Sequence, residues 1–174
     1  MIAMPPERAA DVIEGCMEAC RRCDAVVESV VSQNRVAYAA VGPHLRHCLD
    51  HFKLLLDGWS TGEVNYDARE RDERVERDPV LAREALRGIT KGLATIRSHD
   101  LGREIRVTQS VAPGRPPLAS QSRLERELVF LSSHTIHHIA IMVLAARAAG
   151  VTVPVDLAVA YSTESHRASL TATS

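Results

Sequence analysis

The stretch SSHTIHHIAIM, from Ser132 to Met142, sets His134, His137 and His138 into an otherwise apolar run. An imidazole with apolar neighbours needs a hydrogen-bond partner or a ligand to offset its burial. Residues four apart stack on one face of a helix, so His134 and His138 can present ring nitrogens to one point, as a metal-binding HxxxH pair does. On a helical wheel Leu124, Leu128, Leu131, Thr135, His138, Met142 and Ala145 share a narrow sector, with His134 at its edge and His137 outside it. The competing reading is a pair of core histidines satisfied by neighbours or water. Two histidines do not close a coordination sphere, since a catalytic metal takes about three protein ligands and keeps a position open for water or substrate. HLRHCLDH offers the remainder, with His44, His47 and His51 on one flank of another helix. His44 and His51 lie nearer the apolar centre of that helix and His47 toward Arg46 and Asp50, and periodicity does not choose among them.

The elements that must hold these residues are helical. Val12, Cys16, Cys20, Cys23, Val27 and Val30 form one stripe on a first helix from about Pro5 to Val31. Gly42-Pro43 and Gly58 read as the start and stop of the second. The charged passage from Ser60 to Asp78 lacks the spacing of helix or strand and reads as a surface loop. Asp78-Pro79 then opens a third helix ending near Ser98. The next segment carries two short alternating pieces around Ala112-Pro113-Gly114, suited to a small hairpin or an extended loop. A fourth helix starts at Ser120 or Ser122 as cap and stops at Gly150. Four amphipathic stripes that need one another predict an all-α fold, a four-helix bundle forming one domain over residues 1–174. The tail after Gly150 is expected to wrap the outside, its last residues disordered.

Acidic and basic residues nearly cancel, 22 against 21, which argues against nucleic acid or an anionic membrane as partner. No basic-then-apolar leader is visible and no apolar run looks long enough to span a bilayer, so the expectation is a cytoplasmic protein. Cys16, Cys20 and Cys23 in CMEACRRC fall at the centre of the apolar stripe, where cysteine packs as a small hydrophobe, and reduced thiols are expected. The chain contains no Walker phosphate loop or dinucleotide glycine fingerprint. Asp50 either orients an imidazole or solvates its helix. Tyr66, Asp67, Arg69 and Asp72 are candidates for substrate contacts against the default of a solvated charge run. Tyr161, Glu164 and His166 could close over the site, or form surface only; His99 sits in a turn without a role.

Gly42, with His47 five positions on and Cys48-Leu49-Asp50 after it, resembles the SIGxxxxHxxD helix of the DinB/YfiT-like superfamily, and HTIHH resembles that family's last-helix HxxxH. The order and separation of the two motifs also match, over about Pro5 to Val155. The resemblance implies an up-down-down-up bundle, often dimeric, with His47, His134 and His138 as a facial metal triad. His51 remains an alternative to His47, and His44 or His137 could act as an outer group or proton carrier. It also implies transfer of low-molecular-weight thiols, mycothiol-dependent isomerisation or a reaction related to ergothioneine synthesis. Where the family often has Arg-Gly-Gln after the second HxxxH histidine, this chain has Ile139-Ala140-Ile141, which removes polar groups from the site's border. Imidazoles without a carboxylate cluster suit zinc or nickel, or iron, better than magnesium. The expected activity is a metal-dependent thiol transferase or hydrolase acting on a small molecule in a homodimer. The alternative is a non-catalytic bundle that binds a metal or small ligand.

Overall fold

The computed structural model describes residues 6–171. In chain order these form α1 (Pro6–Asn34), a 3-10 turn (Arg35–Ala37), α2 (Tyr38–Gly58), β1 (Glu63–Asn65), α3 (Glu73–Arg77), α4 (Pro79–Leu93), β2 (Glu104–Gln109), β3 (Leu118–Arg123), α5 (Leu124–Ala148), a second 3-10 turn (Val155–Ala158) and α6 (Tyr161–Thr171). The expected helix start at Pro5 and the last three residues of the tail lie outside the described residues.

The four long helices share one core. α5 packs on α1 and α2, and α4 packs on the same two from another side. Cys16, Val27, Leu45, Leu55, Leu128, Leu131 and Met142 meet in this interior with almost no exposure. Removing a leucine-sized side chain from water in this way stabilises the fold by about 1.5–3 kcal/mol. Arg83 adds polar stitching between α4 and α1, donating to Asp24 at 2.7 Å and to Glu28 at 2.7 Å.

The all-α four-helix bundle expected from the sequence is corrected by a three-stranded mixed sheet. β2 and β3 form an antiparallel hairpin with Glu104 opposite Arg123, and β1 joins β2 in parallel with Val64 opposite Val107. Val64, Ile105 and Val107 are buried while their strand neighbours Glu63, Asn65, Glu104 and Arg106 face solvent. Such two-residue alternation is what a half-covered sheet requires. The passage read as a surface loop therefore carries β1, the buried Tyr66 and the five-residue helix α3.

Two helix starts also move. Ser120 and Ser122 are strand residues, and α5 begins at Leu124 without a side-chain cap. The amides of Leu124 and Glu125 instead donate to the carbonyls of Arg103 and Leu101, at 3.0 Å each, satisfying donors that a serine cap would serve. α2 begins at Tyr38, with Pro43 inside it. A Cβ on Gly42 would collide with the Glu76 carbonyl oxygen, so α3 can lie directly on α2 only because that residue is glycine. The Tyr38 hydroxyl fixes the same pair by donating to the Val75 carbonyl at 2.8 Å.

α5 is, against expectation, long and apolar enough to cross a bilayer. In the fold it is the central helix, burying Leu124, Leu128, Leu131, Ile139 and Met142 against its neighbours. Beyond it the tail carries α6 and is held on α1, where Arg22 donates to Glu164 at 2.9 Å and to the Val159 carbonyl at 3.0 Å.

Candidate metal centre

α2 and α5 bring four imidazoles together. One ligand atom from each of His47, His51 and His134 lies within 4.8 Å of the other two, so these three residues could hold a metal ion. The His138 ring adjoins them, its centroid 4.6 Å from that of His47 and 4.5 Å from that of His134. His44 stands behind His138 with centroids 5.7 Å apart, whereas His137 is exposed. Asp50 is committed to Arg46 at 2.6 Å and orients no imidazole. The triad implied by resemblance and the triad of converging donors thus share His47 and His134 and differ between His138 and His51.

Hydrogen bonds set the tautomers. A guanidinium only donates, so Arg69 Nη1 donates to Nδ1 of His47 at 2.8 Å. Neutral His47 then carries its proton on Nε2, 3.0 Å from Nε2 of His134, which accepts. His51 Nδ1 donates to the His47 carbonyl at 2.8 Å, leaving Nε2 as the free donor atom. That arrangement, one ring nitrogen anchored on a carbonyl and the other free, is how metal-ligating histidines are oriented. Two buried side-chain nitrogens among the described residues have no hydrogen-bond partner, Arg69 Nε and His138 Nδ1, and both belong to this cluster. A guanidinium nitrogen only donates, so of these two it is His138 Nδ1 that can meet a metal ion. The residues present therefore fit a metal ion.

A second layer holds the rings. Tyr66 stacks on His51 with centroids 5.2 Å apart, and its hydroxyl donates to Glu127 at 3.0 Å. Glu127, 1% exposed, also accepts from Ser122 at 2.5 Å and from Arg126 at 2.8 Å. Phe130 stacks on His134 with centroids 5.4 Å apart, and the Arg126 guanidinium lies over the Phe130 ring, 5.3 Å from its centroid. Tyr66 and Arg69 were visible as candidates in the sequence; Glu127 was not, because a glutamate in the first turn of a helix ordinarily faces water.

Burial and then the charges of neighbouring histidines press the rings toward neutrality, His47 to about 3, His134 to about 4 and His138 to about 4; Arg69 adds to this at His47 and His134. His51 is lowered chiefly by burial. In the unfolded chain these rings take up protons near 6.5, whereas the folded chain resists until about 3 to 4. Between those values the unfolded state binds more protons, so stability is full above about pH 6.5 and falls as the solution is acidified. The metal-free melting temperature is expected to drop from pH 7 to 4.5, and a His47→Gln, His134→Gln double variant to show a flatter profile. Calorimetric melts that superimpose at the two pH values for the wild type would contradict this.

The other candidate residues serve elsewhere. All four cysteines are buried, and burial pushes Cys16, Cys20 and Cys48 up to about 12 and Cys23 well above its ordinary value. Thiols so placed pack as hydrophobes and stay protonated. Tyr161 donates to the Gly15 carbonyl at 2.9 Å and Glu164 pairs with Arg22, which fixes both on α1; His166 is exposed. A cavity of about 660 Å³ lies on the α1 flank of α5, lined among others by His137, Ser133 and Tyr161, and includes none of the converging rings.

No family model, curated protein or solved structure matches this chain.

Proposed function

We propose that the protein is a metal-dependent enzyme of the thiol-transferase or hydrolase type, with zinc, nickel or iron held by His47, His51 and His134. The observation that carries this reading is the convergence of three imidazole donor atoms within 4.8 Å. The orphaned Nδ1 of His138 beside them and the anchored Nδ1 of His51 support it. A divalent ion so held supplies Lewis acidity, which makes a thiol or a water molecule a nucleophile at neutral pH. Three neutral ligands leave room for that nucleophile. His47, His134 and His138 keep part of their surface in solvent, so a small molecule can reach the cluster, while the buried His51 anchors its floor. The resemblance of Gly42-Pro43-His44 through Asp50 and of HTIHH to DinB/YfiT-like proteins favours a thiol over water as cosubstrate.

Elemental mass spectrometry on untagged protein, purified without chelator and then supplied with zinc, nickel or iron, tests the reading. Stoichiometric metal, with thiol transfer or ester hydrolysis that a chelator removes, supports it. Absence of metal after supplementation overturns it, and metal without turnover reduces it to a binding role.

A further inference from the structure

The histidine cluster contains one permanent charge, and that charge is unpaired. Arg69 sits three residues beyond Tyr66, whose side chain is buried and bonded to Glu127, so the loop delivers the guanidinium to the rings. Every acid near it is engaged elsewhere. Asp67 accepts from Ser110 at 2.7 Å, Glu70 faces Lys53 at 3.6 Å, Asp72 pairs with Arg74 at 2.7 Å and Asp50 with Arg46 at 2.6 Å. No carboxylate among the described residues pairs with Arg69. Its one polar contact is the neutral Nδ1 of His47, and its Nε is buried without a partner.

That one contact is incompatible with ligation through Nε2 of His47. A neutral imidazole that gives Nε2 to a metal carries its proton on Nδ1, where a guanidinium cannot donate. Loading the centre therefore releases Arg69, which then stands beside a divalent ion among neutral ligands with no acid to compensate either charge. Positive charge concentrated in a partly desolvated site attracts an anion, and the guanidinium fork matches the oxygens of a carboxylate or phosphate.

Building on the metal centre proposed above, we infer that Arg69 is an anion-recognition residue and that the substrate carries a carboxylate or phosphate group next to its reacting atom. Arg69 is thus a contact between loop and substrate rather than a support for His47.

Cobalt-loaded protein, titrated with inorganic phosphate and with acetate while its visible absorption is followed, tests this. Wild type and Arg69→Met are both expected to take up stoichiometric cobalt, with Arg69→Met binding phosphate about tenfold to a hundredfold more weakly. Arg69→Lys, which keeps the charge without the fork, should fall between them. Phosphate affinity equal in wild type and Arg69→Met overturns the inference. So does loss of cobalt from Arg69→Met with an unchanged circular dichroism spectrum, since that would make Arg69 a support for His47. Should Arg69→Met unfold, the comparison of Arg69→Lys with wild type decides in the same way. If wild type takes up no cobalt, the metal reading fails by itself. Histidine ring shifts of the metal-free protein under phosphate then test Arg69 alone: movement in wild type that Arg69→Met abolishes supports the subsite, and none overturns it.

Discussion

Replacing His134 with alanine is expected to reduce zinc or nickel uptake from stoichiometric to none. His134 is the ring on which both candidate triads depend, and its Nε2 already meets Nε2 of His47 at 3.0 Å. Removing it leaves no pair of donors bridging α2 and α5 except through His138. The loss should exceed the roughly 10–100-fold change typical of groups that only orient a ligand. Elemental analysis after dialysis is the measurement, with His99→Ala as the control, since that ring is exposed in a turn far from the cluster in sequence. His51→Ala and His138→Ala then separate the two triads. Loss of metal in His51→Ala with retention in His138→Ala follows from the converging donors, and the reverse would assign the third ligand to His138. Retained stoichiometric metal in His134→Ala would remove the site altogether.

Glu127→Ala is expected to cost stability and metal affinity together. The carboxylate collects the hydroxyls of Tyr66 and Ser122 and the guanidinium of Arg126, and it is 1% exposed. Losing hydrogen bonds to a charged group of this kind costs about 1.5–3 kcal/mol, a fall in melting temperature of about 3–12 °C for a chain of this size. Tyr66 would also lose the bond that holds its ring against His51, so metal affinity should fall by about 10-fold or more. Glu127→Gln, which keeps the shape and one acceptor, should recover part of both. A Glu127→Ala protein with wild-type metal affinity would show that Tyr66 does not position His51.

The helices were legible because their apolar stripes are local. The stripe from Leu124 to Met142 and the inward residues Leu86, Ile89 and Leu93 of α4 are buried as their spacing requires. The β2–β3 hairpin was one of the two forms its alternating pieces suited, but β1 was not legible, because it is a three-residue strand whose partner lies about forty residues further on. Nothing in Glu63-Val64-Asn65 announces that distant pairing. Ser120 and Ser122 looked like caps because serine accepts readily from helix amides; the carbonyls of Leu101 and Arg103 took that role once the chain had folded back. Pro43 suggested a helix start for a similar reason, since proline is most at home at a first turn, yet the helix extends back to Tyr38. At the site, HxxxH and the three α2 histidines carried their own geometry in their spacing. What spacing could not supply was the choice among them, which depends on the rotation of α2 against α5 and on the loop that brings Arg69 and Tyr66 over the rings.

The four cysteines give the fold an internal clock. Their thiols are shielded on both helices of the α1–α2 pair and held protonated, so a thiol reagent can reach them only when the helices part. The rate at which the native protein is labelled then follows the fraction of time spent open. A ligand that binds only the closed form lowers that fraction in proportion to its saturation of the site. Occupancy of the histidine centre on α2 and α5 would thus be written into the labelling rate of Cys16, Cys20 and Cys23 on α1.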